Sequence, residues 1–80
     1  MERTKNNFTK TFKNEYHLGG SCTVQLLGNL LFVNFGDERT GIRENIKDEG
    51  YMGRITQFLE LNTSSYEGEK VINYINLKLK

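Results

Sequence analysis

Proline and tryptophan are absent from this 80-residue chain, and cysteine and histidine occur once each. Without proline, turns have to be sought at glycine, asparagine and aspartate. A lone Cys22 excludes a disulfide framework. One cysteine and one histidine do not complete a zinc site, and no acid cluster accompanies His17. Charge of either sign is not in excess: the formal net charge is +1. That is neither a polyanion imitating nucleic acid nor a strongly basic binder. No apolar run approaches the length of a membrane span, and the first residues lack the apolar centre of a signal peptide. A cytoplasmic protein without membrane association is the expectation.

The chemistry of a reaction is also missing. Gly19-Gly20-Ser21 has neither the strand–GxGxxG–helix context nor the GxxxxGK spacing of a phosphate loop. There is no nucleophile triad and no paired carboxylate scaffold. The expectation is therefore no enzyme, no cofactor and no metal. Asp37, Glu38 and Glu44 follow no EF-hand pattern and read as a solvated face.

What is present is a hairpin. The stretch from Cys22 to Phe35, CTVQLLGNLLFVNF, places Gly28-Asn29 between two apolar runs, the signature of a two-residue II′ turn. The turn sets the register: Leu27 faces Leu30, Leu26 faces Leu31, Gln25 faces Phe32, Val24 faces Val33, Thr23 faces Asn34 and Cys22 faces Phe35. One face then carries Cys22, Val24, Leu26, Leu31, Val33 and Phe35, all apolar. The other carries Thr23, Gln25, Leu27, Leu30, Phe32 and Asn34. A slip of one residue would mix the two sets. Cys22 on the apolar face reads as a small buried hydrophobe.

Around this hairpin the chain divides into a basic arm at 1–15, flexible or ordered by a partner, and one small β-rich domain at 16–80. Within the arm Phe8 and Phe12 stand four apart, which also suits an edge strand or a short docked helix. Ile42 and Ile46 have the same spacing, and IRENIKDE reads as a short helix near residues 41–49, ended by Gly50. Arg39 and Arg43 would then share a face able to grip a phosphate or a carboxylate. Arg54 to Leu61 alternates like a strand, 62–69 reads as a polar loop, and Val71 to Lys80 alternates again, with Lys78 and Lys80 suited to a terminal edge. The expected fold is mainly β: a small antiparallel sheet or partly closed barrel of four to five strands, with Leu26, Leu31, Val33, Leu59 and Ile75 in the core.

An 80-residue chain buries only about 60% of its unfolded surface, so a second sheet face is hard to cover. Leu27, Leu30, Phe32, Phe58 and Tyr74, with Ile72, are expected to gather there as a partner-binding patch. The leading expectation is a protein-interaction module, such as an inhibitor or accessory factor, with a homodimer as one form of contact. The alternative is single-stranded nucleic acid held by aromatic and basic residues: Arg39, Arg43, Arg54, Tyr66, Lys70, Lys78 and Lys80. The discriminating observation is spatial. Phe32, Phe58 and Tyr74 in one exposed patch favour protein contact, and a continuous basic groove favours nucleic acid.

Overall fold

The computed structural model of the chain describes residues 7–14, 20–37 and 39–79. Residues 1–6 and 15 of the expected arm, together with His17, Gly19, Glu38 and Lys80, lie outside those residues. Four strands come first, β1 (Phe8–Lys13), β2 (Ser21–Leu27), β3 (Leu30–Phe35) and β4 (Gly41–Asn45). Two helices follow, α1 (Tyr51–Asn62) and α2 (Ser65–Leu79). The strands form an open antiparallel sheet in sequence order. The fold is thus a mixed one, with helices where two strands were expected, and the sheet is not a barrel.

The β2–β3 register is the one read from the turn, from Leu27 opposite Leu30 to Cys22 opposite Phe35. Gly28 takes a φ of 62°, the positive value required at the first central position of a primed turn. Its amide donates to Asn7 Oδ1 at 2.9 Å. The segment read as an arm supplies edge strand β1, because Phe8 and Phe12 sit opposite Leu26 and Cys22 and join their apolar face.

The expected helix near 41–49 is replaced by β4. Two uncapped turns of helix are marginal alone, whereas five residues paired with β3 satisfy its open edge. Ile42 and Glu44 alternate toward the helices. The chain then turns at Asn45, whose carbonyl accepts from the Asp48 amide at 2.9 Å and whose side chain accepts from the Lys47 amide at 2.9 Å.

The second half is helical because its buried positions repeat every three or four residues. Ile55 and Leu59 are buried in α1, and Gly68, Val71 and Ile75 in α2. Leu61 and Leu77, which a strand would have turned inward, are 78% and 75% exposed. Ser64-Ser65-Tyr66-Glu67 matches a capping box. The Glu67 amide donates to Ser64 Oγ at 3.2 Å, and that hydroxyl lies 3.2 Å from Glu67 Oε1.

Both helices pack on one face of the sheet. The core joins Cys22, Val24 and Leu26 of β2 and Leu31, Val33 and Phe35 of β3 to Ile55, Leu59, Val71 and Ile75. All five expected core residues are in it. Tyr74 holds β1 against α2, with edge-on ring contacts to Phe8 and Phe12 at 5.6 and 5.5 Å. A buried polar contact ties the end of β1 to the helix junction. Asn14 Nδ2 donates to Thr63 Oγ1 at 2.8 Å. The threonine's single proton is shared between Asn14 Oδ1 at 3.1 Å and Glu67 Oε1 at 3.2 Å.

Two predictions arise here. Gly53 lies within α1 and an added Cβ would meet nothing within 4 Å. Gly53→Ala removes backbone freedom from the unfolded chain and is expected to raise stability by about 0.5–1 kcal/mol. A urea midpoint that stays put or falls would contradict the helical geometry. Cys22 is fully buried, and burial pushes its thiol up from 9.0 to about 12. Native protein should label with iodoacetamide far more slowly than urea-unfolded protein at pH 8. The sign follows for stability: the raised folded value means the unfolded chain loses this proton first. Cys22 therefore contributes fully below about pH 9, and its contribution declines between about 9 and about 12.

Candidate binding face

With both helices on one side, the other sheet face is left open. Register places its residues in rows across the strands. Thr9, Gln25, Phe32 and Arg43 form one row, and Thr11, Thr23, Asn34 and Gly41 the next. The hydroxyls of Thr11 and Thr23 lie 3.0 Å apart. Leu27 and Leu30, 47% and 37% exposed, close the hairpin end of the face beside Asn45. Alternation puts Lys13 at the rim on the same side.

Beside β4 lies an open cleft of about 800 Å³, lined by Phe32, Asn34, Gly41 and Arg43 of the open face, by Arg39, and by Phe35 and Ile42, whose register places them on the helix side. Its β3–β4 loop is organised by Asp37. That carboxylate accepts from the amides of Arg39 and Thr40, both at 3.0 Å, and from the Thr40 hydroxyl at 2.8 Å. The loop thereby carries Arg39 to the cleft with the Asp37 charge already engaged. A Cβ at Gly41 would take the place of the Asn34 side-chain amide, so a larger residue there has to displace that exposed side chain.

The carboxylates of the strands are unevenly placed between the two sides of the sheet. Among the described strand residues, the open face contains no aspartate or glutamate, and Arg43 and Lys13 stand on it with Arg39 beside them. Neither Arg39 nor Arg43 forms an ion pair with a described residue. Glu44, next to Arg43 in sequence, turns to the helix side and binds Arg54, with Oε1 2.9 Å from both Nε and Nη2. That hydrogen bond pushes the Arg54 guanidinium above its ordinary value.

The expected patch is split by the sheet. Leu27, Leu30 and Phe32 are on the open face, but Phe58 packs by Phe35 at 5.8 Å on the helix side, and Tyr74 lies between Phe8 and Phe12. Ile72 packs against the core as well. The residues suggested for phosphate contact also separate. Arg39 and Arg43 meet Phe32 in one cleft. Arg54 is engaged by Glu44. Lys70 lies over the Tyr66 ring at 4.6 Å and Lys78 over Tyr74 at 5.7 Å, both on α2. Thr9 and Thr11 join the face through β1, and their alternation with Phe8 and Phe12 is the signal the sequence carries for them.

Among the described residues no group of three His, Cys, Asp or Glu side chains is placed to hold a metal ion. No described helix is long and apolar enough to cross a membrane. Comparison with protein-family models, curated proteins and solved structures gives no match to this chain.

Proposed function

We propose that this protein is a binding module that takes single-stranded nucleic acid across its open sheet face. The observation that carries this is a local grouping: two arginines without an ion-pair partner among the described residues share a cleft with an aromatic ring, and no described strand carboxylate lies on that face of the sheet. Arg39 and Arg43 supply forked donors for phosphate oxygens. Phe32 offers a base its ring, and the threonine, glutamine and asparagine rows offer hydrogen bonds to base edges. A single strand suits this surface because its bases can leave their stack, whereas a duplex keeps their faces covered. The aromatic patch expected for protein contact is divided by the sheet, and the expected basic residues divide as well, so the reading is supported by the group Phe32, Arg39 and Arg43 alone.

The test is fluorescence anisotropy with labelled single-stranded oligonucleotides of mixed sequence and the matching duplex, at several salt concentrations. Binding should favour the single strand. With two phosphates neutralised, log affinity should fall against log salt with a slope of about −1.4. Absence of binding at low salt, or a preference for the duplex, would overturn the assignment and return an unidentified protein as the occupant of this face.

A further inference from the structure

The groove between α1 and α2, on the opposite side of the molecule, has a different chemistry. It encloses about 260 Å³, and its lining includes Leu59, Gly68 and Ile72 as an apolar floor, with Glu60 on one wall and Glu69 on the other. The helices carry three carboxylates in all. Glu67 is engaged at the helix junction by Ser64 and Thr63. The other two have no hydrogen bond or ion pair with a described residue, and both line this groove. The described helix cations do not neutralise them. Arg54 is bound to Glu44, Lys70 and Lys78 lie over tyrosine rings, and none of the three lines the groove.

Two carboxylates without a described partner, lining a groove with an apolar floor, are complementary to a long cationic side chain. We infer that this groove receives a lysine or arginine side chain presented by a second protein. The aliphatic stem would lie along Leu59 and Ile72 while the charged head reaches Glu60 and Glu69, the arrangement that long cationic side chains adopt where apolar surface meets water. The inference is independent of the nucleic-acid assignment, since the two surfaces share no residue. Together they describe an adaptor with an anion-seeking face and a cation-seeking groove.

The experiment is a titration of the isotopically labelled full chain, followed by amide NMR shifts. The probe is the peptide acetyl-Ala-Leu-Lys-Ala-Leu-amide, beside its analogue with norleucine in place of lysine, which keeps the stem and removes the charge. Shifts are expected at Thr56, Gly68 and Ile72, with the norleucine peptide at least tenfold weaker. Glu60→Gln with Glu69→Gln should abolish binding while leaving the remaining spectrum and oligonucleotide binding unchanged. The inference is overturned if the lysine peptide causes no shifts at millimolar concentration, if the norleucine peptide binds equally, or if the double variant still binds. Spermidine binding as tightly as the peptide would overturn the assignment to a protein partner.

Discussion

Leu31→Ala is expected to lower stability by about 2–5 kcal/mol, while Leu30→Ala, one residue away, changes it by less than about 1 kcal/mol. Leu31 is fully buried, opposite Leu26 and within the cluster closed by both helices. Truncation removes its transfer free energy and leaves a cavity that a sheet fixed by neighbouring strands cannot collapse. An 80-residue domain has on the order of 4–12 kcal/mol in total, scaling by residue. Loss of this one side chain therefore takes a large part of the margin. Leu30 points to the open face and has little to lose. Urea denaturation with unchanged slope measures both variants. Equal losses at the two positions would mean that the two faces of the hairpin have been assigned wrongly.

Oligonucleotide binding should fall roughly a hundredfold or more in the Arg39→Ala, Arg43→Ala double variant. Each charge-assisted contact is worth about 1.5–3 kcal/mol, and two of them lie in the same cleft. The salt slope should shrink toward zero at the same time, because the phosphates those arginines neutralised would keep their counterions. Phe32→Ala should behave differently. Stacking of a base contributes about 1–3 kcal/mol, so affinity falls about 5- to 150-fold, yet the slope stays near its original value. Lys78→Ala is the control, since Lys78 lies on α2 beside Tyr74 and away from the cleft. Circular dichroism should show the same fold in all variants, because both arginines are exposed. A double variant that binds as tightly as the parent, or a Lys78→Ala variant that loses binding, would remove the open face from consideration.

The sequence alone determined the hairpin, its register and the centre of the core. A glycine-led turn fixes which residues oppose, and strict alternation leaves one arrangement that separates apolar from polar. The charged middle and the second half were harder for one reason: residues four apart share a face in a strand and in a helix alike. Phe8 and Phe12, Ile42 and Ile46, Ile55 and Leu59, and Val71 and Ile75 all carry this ambiguity. The Ser64–Glu67 capping signature was a readable signal for α2, masked by the alternating Leu77-Lys78-Leu79-Lys80 ending.

Tertiary structure decided each ambiguous pair by what it could pack against. β1 and β4 became strands because β2 and β3 had free edges to pair with. Residues 51–62 and 65–79 became helices, and laid on one face they cover the apolar set of the hairpin. That choice sent Phe58 and Tyr74 inward and left Phe32 with Arg39 and Arg43 outside. The binding face therefore could not be read from any one segment. Its members come from separate strands and a loop, and they meet because the helices bury the opposite side of the sheet.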